Sequence, residues 1–385
     1  MSARDQPIAG GRYIGLISGT SVDAMDAVLV DFEPTGPGLR VRATHSAPPP
    51  PGLRDALLAA NAADHRLSFV EYGRLDQTVA RWASEAARAV CDRASVSLES
   101  VDAIGSHGQT VWHAPDDTLG FSLQIGHGAR IAADTGTTVV SDFRSMDLAL
   151  GGQGAPLVCA CHGALFGVAD RARAVVNIGG IANITLLAPG ADTDVMRIGG
   201  FDTGPGNGLM DEWIQRHRGL PYDADGDWAA LGRVDEALLE QLLSDAYFAR
   251  AAPKSTGRDL FGLAWLDRHL AALDHPVSAV DVQATLAELT ARTIADGLQT
   301  MTPASDTVYL CGGGAHNRHL MQRLARCVSP ARVATTDALG VEGDWVEAIA
   351  FAWLARERLA GRPGNAPRVT GATRPGRLGA IHAVG

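Results

Sequence analysis

The sequence lacks several features that would place a protein quickly in a class. Its net charge of −10 disfavours non-specific nucleic-acid binding, which needs a basic surface. It has no run of about 18 apolar residues, which excludes a membrane-spanning helix. Its five cysteines are an odd number scattered through 385 residues. No disulfide framework is therefore expected, and a reducing cytoplasm fits best.

Familiar short motifs are also missing. There is no GxxxxGK[ST], so a P-loop ATPase is not expected, and no GxGxxG follows the first strand, so neither is a Rossmann dehydrogenase. The first residues, MSARDQPIAGG, contain no apolar stretch, and we expect no signal peptide. Cys159 and Cys161 are separated by a single residue and no second cysteine pair follows, which is poor spacing for zinc.

The periodicity of the chain predicts an α/β protein. At 385 residues it exceeds what one hydrophobic core usually serves, so two domains are expected. Strand-like runs occur at 101–106, 120–125, 137–143, 174–180, 184–188, 195–201 and 307–311. Helical patterns occur at 69–94, 206–217, 234–244, 262–271, 281–300, 316–326 and 344–360. This alternation of strands and helices is typical of an α/β fold.

The most informative segment is 15–32, GLISGTSVDAMDAVLVDF. An apolar run enters a cluster of small and hydroxyl residues at 18–21, and a second strand-like run leaves it, which predicts a hairpin. Backbone N–H groups and hydroxyls at such a tip can cradle phosphate oxygens. Asp23 and Asp26 can hold Mg²⁺ or its waters. An ordinary hairpin with a turn rich in turn-forming residues explains the segment equally well.

Two further glycine-containing turns follow strand-like runs and precede helices. They are FDTGPGN at 201–207 and CGGGAHN at 311–317. Each alone is a weak signal, but three such turns in this order favour a nucleotide held between two similar halves. A helix start offers free N–H groups and a favourable dipole, so the third turn is expected near the adenosine.

Several longer blocks carry a family resemblance. They are GLISGTSVDAMD, GSHGQTVWH, SDFRSMDLALGGQGAPLV, VNIGGIANIT, GFDTGPGNGLMDEW, CGGGAHN and DWVEAIAFAWLA. Together they resemble the anhydro-N-acetylmuramic acid kinases, of the actin, Hsp70 and sugar-kinase superfamily. The resemblance implies an α/β fold of two ribonuclease-H-like lobes with a nucleotide cleft between them. Lobe 1–165 would carry the first phosphate loop and part of the sugar site. Lobe 166–385 would carry the catalytic aspartate, the second phosphate loop and the adenosine loop, with the last helix packing back on the first lobe.

The resemblance also implies an activity. ATP, with Mg²⁺, would phosphorylate O6 of 1,6-anhydro-N-acetylmuramic acid while water opens the anhydro ring. The products would be N-acetylmuramic acid 6-phosphate and ADP, in peptidoglycan recycling and amino-sugar catabolism. The partner would be this small sugar, without nucleic acid or membrane, in the cytoplasm, and a homodimer is left open.

The resemblance implies roles for individual residues. Asp202 would be the catalytic base, although an Asx bond that caps its turn is an alternative. The nucleotide would meet Gly19, Thr20, Ser21, Val22, Asp23, Ala24, Met25, Asp26, Gly204, Gly206, Asn207, Gly312, Gly313 and Gly314. Asn207 also suits a helix N-cap. Asp23 and Asp26 would serve the metal. Gln109, Arg144 and Glu347 would bind the sugar, although Asp344 and Glu347 also have the spacing of a capping box. His107 is expected to be structural.

Two other functions compete with this one. A kinase of the same superfamily acting on an open hexose or an acetylated hexosamine would share most of these residues. An ATP-dependent assembly protein or chaperone, like actin or Hsp70, would share the nucleotide turns. The blocks SHGQT, GGQGAPL and WVEAIAF disfavour the assembly protein, because they resemble the sugar side of the kinases.

Overall fold

The computed structural model describes residues 10–19, 21–33, 38–61, 66–257, 260–300 and 304–384. These residues form two compact units. The first unit runs to Leu165 and continues from Glu347 to the C-terminal segment, and the second is Phe166–Val346. Glu347 therefore belongs to the same unit as Gln109 and Arg144. The functions expected of each lobe stay predictions.

The described strands are, in chain order, β1 (Gly11–Ile17), β2 (Met25–Phe32), β3 (Leu39–Ala47), β4 (Ala103–Ser106), β5 (Gln109–Ala114), β6 (Phe121–Ile125), β7 (Val139–Ser141), β8 (Arg173–Ile178), β9 (Ile181–Leu187), β10 (Ile198–Pro205), β11 (Thr307–Cys311), β12 (Arg332–Thr335) and β13 (Ala380–His382). The α-helices are α1 (Leu53–Ala60), α2 (Phe69–Ala94), α3 (Gly128–Thr135), α4 (Arg144–Ala149), α5 (Val158–Phe166), α6 (Gly208–Arg218), α7 (Glu236–Leu243), α8 (Ala246–Ala249), α9 (Leu263–Ala271), α10 (Ala279–Gln299), α11 (Arg318–Cys327), α12 (Val346–Leu359) and α13 (Pro367–Thr370).

Each unit is built on one mixed sheet, and the two sheets share an order. The first is β13-β7-β4-β1-β2-β3, in which β1, β2 and β3 are antiparallel and β4 and β7 run parallel to β1. The second is β10-β9-β8-β11-β12, again with three antiparallel strands followed by two parallel ones. This 3-2-1-4-5 order is the ribonuclease-H-like arrangement, so the predicted fold class is confirmed. The nucleotide cleft expected between the lobes stays a prediction.

The long helix α2 shows why the spacing of apolar residues predicted a helix correctly. It begins after Ser68, whose hydroxyl accepts from the Glu71 N–H while the Glu71 carboxylate accepts from the Ser68 N–H. That capping box satisfies two N–H donors at the helix start. Its buried side chains include Val79 and Trp82, which pack with β1 and β2 in the core of the first unit. The predicted bounds of 69–94 are confirmed.

Helix α12 packs directly against the backbone of β1 and β4. Gly15 and Gly105 are cross-strand partners, and a Cβ at Gly15 would stand 1.8 Å from the Ala348 carbonyl oxygen. A Cβ at Gly105 would stand 2.0 Å from the Phe351 carbonyl oxygen. Only glycine permits this approach, because any side chain would push the helix away. The pair therefore fixes where α12, with Glu347 in its first turn, lies on the sheet.

The structure agrees with some of the other predicted elements and adds several that the sequence did not indicate. Helices α6, α7, α9, α10 and α11 fall within a few residues of their predicted bounds. The elements that were not predicted are strands β3, β5, β12 and β13 and helices α1, α3, α4, α5, α8 and α13. No helix among the described residues is long and apolar enough to cross a membrane. Within the same residues, no three His, Cys, Asp or Glu side chains group as metal ligands.

Candidate active site

The predicted phosphate loop of the first unit is a tight turn between β1 and β2. The Val22 N–H donates to the Gly19 carbonyl oxygen at 3.1 Å. Val22 adopts a φ of 55°, and a left-handed conformation is strained for a β-branched residue. Such strain is typical of functional turns. Thr20, also predicted here, lies outside the described residues.

The two aspartates of this hairpin are in different surroundings. Asp23 is exposed, and its Oδ1 lies 3.4 Å from Arg54 Nη2 in a solvent-exposed ion pair. Asp26 lies in β2 and accepts a short hydrogen bond from the Ser46 hydroxyl. Val22 and Met25 are fully buried, so their side chains are not available to a ligand.

Gln109 connects the hairpin tip to the start of β5. Its side chain is fully buried, and Nε2 donates to the Gly19 carbonyl oxygen at 3.2 Å. Three buried side-chain oxygens in this region have no hydrogen-bond partner among the described residues: Gln109 Oε1, Ser18 Oγ and Ser106 Oγ. Ser18 follows the carboxyl end of β1, and Ser106 ends the adjacent parallel strand β4. Buried polar atoms are normally hydrogen-bonded, so this group indicates a place for a polar ligand or water.

The half-buried Arg144 and the buried His107 form a polar pair in the same unit. Arg144 Nη2 lies 2.9 Å from His107 Nε2, and Arg144 Nη1 donates to the Gly154 carbonyl oxygen at 2.6 Å. Burial, followed by the charge of Arg144, holds the pKa of His107 well below its usual value. The ring is therefore neutral at physiological pH and accepts from Arg144. The pair supports the structural role expected of His107.

Glu347 occupies the first turn of α12, which follows a 3₁₀ turn at Gly343–Trp345. One turn further along, Phe351 packs on the His107 ring, with centroids 4.7 Å apart. Asp344, the other half of the expected capping box, has its Oδ1 2.7 Å from His316 Nε2. The three residues predicted to bind the sugar, Gln109, Arg144 and Glu347, all belong to the first unit.

In the second unit, Asp202 is buried near the end of β10, with 6% of its surface exposed. Its carboxylate Oδ2 accepts from the Thr256 N–H at 3.0 Å. Its backbone N–H donates to the Lys254 carbonyl oxygen at 3.2 Å, and its carbonyl oxygen accepts from the Tyr247 hydroxyl at 2.5 Å. The carboxylate is thus bonded to a segment 54 residues later in the chain.

Asp202 heads a polar row that crosses the second sheet. Its cross-strand partner on β9 is Asn183, whose partner on β8 is Asn177, and Asn177 is paired with Cys311 on β11. In-register residues point to the same face of a sheet. Asn177 and Asn183 are both buried, and Asn183 Oδ1 has no hydrogen-bond partner among the described residues. The row lies close to the strand ends, where sequence analysis assigned only Asp202.

The DTGPGN turn packs tightly on the β8–β9 hairpin. The Gly206 N–H donates to the Gly180 carbonyl oxygen and the Asn207 N–H to the Gly179 carbonyl oxygen, both at 2.9 Å. A Cβ on Gly206 would stand 2.1 Å from the Gly179 carbonyl oxygen, so glycine is required. The Gly206 and Asn207 N–H groups are therefore committed within the protein. The Asn207 side chain makes no capping bond to α6, which removes the N-cap interpretation.

The third predicted turn lies beside the second. Gly312 has a φ of 79°, and a Cβ there would stand 2.5 Å from Asn177 Oδ1. A Cβ on Gly313 would lie 3.9 Å from Asn207 Nδ2. Gly314 packs on the side chain of Ile178. The structure thus brings the DTGPGN and CGGGAHN turns together within one unit.

Sequence reasoning missed Gly179 and Gly180, although the shared sheet order makes them conspicuous. They form the turn between the first two strands of the second sheet, as the predicted phosphate loop does in the first. The available signal was the segment Asn177–Asn183, NIGGIAN, in which two amides flank two glycines. Lys254 and Thr256 gave no periodic signal, because they lie in irregular chain.

Comparison with known proteins tests the family resemblance. The sequence model of the anhydro-N-acetylmuramic acid kinases matches residues 11–384. The chain is 48% identical to the anhydro-N-acetylmuramic acid kinase of Shewanella halifaxensis over 374 residues, covering 96% of this chain and 98% of the relative. It is 47% identical to that of Coxiella burnetii over 371 residues, covering 96% and 97%.

Some solved structures are distantly similar to this chain. One is component A of (R)-2-hydroxyglutaryl-CoA dehydratase from Acidaminococcus fermentans, at 12% identity and a TM-score of 0.48, covering 91% of this chain and 100% of that one. That likeness is too remote to support a conclusion about this chain. The match to the kinase family, by contrast, covers nearly the whole sequence, and the two relatives are 47–48% identical to this chain. It confirms the resemblance that the sequence blocks indicated. The chain belongs to the anhydro-N-acetylmuramic acid kinase family.

Proposed function

We propose that this protein uses ATP to phosphorylate O6 of 1,6-anhydro-N-acetylmuramic acid with concurrent hydrolytic opening of the anhydro ring. The products are N-acetylmuramic acid 6-phosphate and ADP, and the reaction serves peptidoglycan recycling and amino-sugar catabolism in the cytoplasm. The observation that carries the proposal is the family match over residues 11–384. The buried, firmly held carboxylate of Asp202 supports it from the structure.

The chemistry requires one well-placed base. Water attacks C1, the C1–O6 bond breaks, and O6 forms its new bond to the γ-phosphorus of ATP as ADP leaves. The water must lose a proton as it attacks, so a general base has to lie within hydrogen-bond reach of it. Phosphoryl transfer itself needs positioning and charge neutralisation rather than covalent help.

Asp202 is the proposed base that takes this proton. The Thr256 N–H holds carboxylate Oδ2, and the backbone on both sides of the residue is bonded to the 247–256 segment. A fixed carboxylate loses no orientation during the reaction. We further propose that Asn183, its cross-strand partner, uses its side-chain amide to orient water or substrate beside the carboxylate.

ATP is proposed to bind along the glycine turns. In the first unit, residues 19–26 would contact its phosphates through backbone N–H groups and hydroxyls. In the second, the N–H groups of Gly206 and Asn207 are already bonded to the β8–β9 hairpin. We therefore propose that Gly204 and Gly206 brace that hairpin, while Gly179, Gly180 and the Asn207 side chain face the phosphates. Gly312, Gly313 and Gly314 would line the nucleoside.

Asp23 and Asp26 are the proposed carboxylates for Mg²⁺. They fit an ion that is held mainly by phosphates and water, since Mg²⁺ on nucleotides commonly uses one or two protein carboxylates. Asp23 is exposed and its ion pair with Arg54 is exposed as well, so an exchange of partners costs little. When bound with ATP, the ion would neutralise phosphate charge.

The sugar is proposed to meet the first unit at the carboxyl ends of β1 and β4. Gln109 Oε1, Ser18 Oγ and Ser106 Oγ are buried acceptors without partners among the described residues, and hydroxyls or the N-acetyl group can satisfy them. Arg144 is the proposed partner of the lactyl carboxylate, because a guanidinium is a strong carboxylate donor. Glu347 is proposed to contact a sugar hydroxyl.

Comparing ADP release with different sugars tests the proposal. The protein is incubated with ATP and Mg²⁺ and with 1,6-anhydro-N-acetylmuramic acid, N-acetylglucosamine, glucose or no sugar. We expect ADP release to depend on the anhydro sugar. Comparable turnover of an open hexose or hexosamine would support a different sugar kinase. Sugar-independent release would support an assembly ATPase.

A further inference from the structure

Lys254 is the only lysine in the chain. Of the 33 lysine and arginine residues, every other one is arginine. Lys254 is also buried, with 5% of its surface exposed, whereas a lysine is rarely buried without specific partners. It lies two residues before Thr256, which holds the carboxylate of Asp202. A single lysine that is buried at this place requires a reason.

The ammonium group of Lys254 attaches its own segment to helix α8. Nζ donates to the carbonyl oxygens of Tyr247 and Phe248, at 3.1 and 3.2 Å. It also lies over two aromatic rings, 4.7 Å from the Tyr247 centroid and 5.2 Å from the Phe201 centroid. Two carbonyl oxygens and two ring faces are the kind of surroundings that stabilise a buried cation.

These contacts form a closed ring around Asp202. The Asp202 N–H donates to the carbonyl oxygen of Lys254, and its own carbonyl oxygen accepts from the Tyr247 hydroxyl. The Tyr247 carbonyl oxygen in turn accepts from Lys254 Nζ. The Thr256 N–H completes the arrangement at carboxylate Oδ2. The backbone N–H, the backbone carbonyl oxygen and the carboxylate of Asp202 are thus all held by residues 247–256.

The geometry explains why lysine, and not arginine, suits this position. An ammonium is compact and directs its N–H bonds tetrahedrally, so it can reach two successive helix carbonyls between two rings. A guanidinium is planar and larger, and its fork suits carboxylates instead. Burial, followed by the charge of Arg250, lowers the pKa of Lys254, which agrees with its enclosed position.

We propose that Lys254 is a positioning residue for Asp202: its ammonium clamps the 254–256 segment to α8 and thereby orients the carboxylate of the base. This inference rests on the proposed function of Asp202. It predicts that neither removal of the charge nor its retention on an arginine preserves catalysis. A misplacement of the base by about 1 Å can cost on the order of 100-fold in rate.

Steady-state kinetics of Lys254→Met and Lys254→Arg test the proposal. We expect kcat to fall at least about tenfold in both variants, while KM for ATP stays within about threefold. Arg171→Met is the matched control, because it removes an exposed cation from the same unit, and we expect parental kcat. A Lys254→Met or Lys254→Arg protein with parental kcat would overturn the proposal. If these variants do not fold, Tyr247→Phe decides instead, because it removes only the hydroxyl bonded to Asp202, and parental kcat there would overturn the ring.

A second measurement does not depend on the substrate. Because the chain has one lysine, protein labelled with ¹⁵N-lysine gives a single side-chain ammonium resonance from this residue. We expect Asp202→Asn and Tyr247→Phe to shift that resonance, and Arg171→Met to leave it in place. An unchanged resonance in Asp202→Asn and Tyr247→Phe would contradict the ring. If the parent releases no ADP with the anhydro sugar, the proposed function fails, whereas this resonance still decides the structural coupling.

Discussion

Asp202 and Asn183 are cross-strand partners at the end of the second sheet, with Asn183 between Asp202 and Asn177. Asp202, Asn183 and Asn177 lie on three different strands, and all three are buried. A carboxylate beside two amides is unusual in the interior of a sheet, where burial of unpaired polar groups is costly. The arrangement concentrates hydrogen-bonding groups around the proposed base and gives the account its most direct mutational tests.

Replacing Asp202 by Asn should remove turnover while leaving nucleotide binding intact. The amide keeps the size of the carboxylate and its bond from the Thr256 N–H, but it cannot take a proton. We expect kcat to fall by about 10²–10⁴-fold, measured by coupled ADP release, with the ATP affinity unchanged by calorimetry. Asp192→Asn, an exposed change in the same unit, should behave as the parent. Near-parental kcat in Asp202→Asn would rule out its role as base.

Replacing Gly206 by Ala should weaken nucleotide binding. The new Cβ would stand 2.1 Å from the Gly179 carbonyl oxygen, so the DTGPGN turn and the β8–β9 hairpin must separate. We expect the ATP dissociation constant to rise at least about tenfold, because both turns are proposed to serve the phosphates. Gly73→Ala is the control, since a Cβ there meets nothing within 4 Å and the site lies inside α2. Equal ATP affinity in Gly206→Ala and the parent would contradict the proposed phosphate site.

Replacing Glu347 by Gln should affect the sugar and not the nucleotide. Glu347 lies in the first turn of α12, whose packing on Gly15 and Gly105 fixes it in the first unit. Gln keeps an acceptor oxygen but loses the negative charge, so its hydrogen bond to a sugar hydroxyl is weaker by about 1 kcal/mol, or roughly fivefold in sugar affinity. Isothermal calorimetry with the anhydro sugar and with an ATP analogue separates the two effects. A change in the affinity for the ATP analogue alone would contradict the proposed contact between Glu347 and the sugar.

His113 should make the protein less stable in acid. Burial, followed by the charge of Arg144, lowers the pKa of His113 to about 4, below its ordinary value of 6.5. The unfolded chain therefore binds a proton that the folded chain refuses, and folding loses up to about 3 kcal/mol as pH falls from 6.5 to 4. Melting temperatures of the parent and of His113→Asn are measured between pH 7.5 and 4. As the pH falls, the melting temperature of the parent should decrease more steeply than that of the variant. Parallel curves would show that His113 does not titrate as described.

Local signals in the sequence predicted much of the fold. Helix α2 could be predicted because Val79 and Trp82 repeat at helical spacing behind a capping box that begins at Ser68. The first hairpin could be predicted because two apolar runs flank a cluster of turn formers. Strand β3 was missed because it is largely exposed at the edge of its sheet and has no apolar pattern.

The site required the fold, because its groups meet only through pairing between distant strands. Asp202 was found from its turn, but Asn177 and Asn183 join it through the register of β8, β9 and β10. Lys254 and Thr256 reach it from an irregular segment about fifty residues later, at separations that no local pattern encodes. Gly15 and Gly105 are likewise explained only by the helix packed on them, 333 residues away in the case of Gly15 and Ala348.

The fate of the water oxygen shows whether water opens the anhydro ring as O6 is phosphorylated. The protein is incubated with 1,6-anhydro-N-acetylmuramic acid, ATP and Mg²⁺ in ¹⁸O-water, and the product is analysed at once by mass spectrometry and ¹³C NMR. We expect a 6-phosphorylated N-acetylmuramic acid with one ¹⁸O at C1 and none in the bond between O6 and phosphorus. A phosphorylated sugar that retains the anhydro ring, or a 6-phosphate without ¹⁸O at C1, would contradict it.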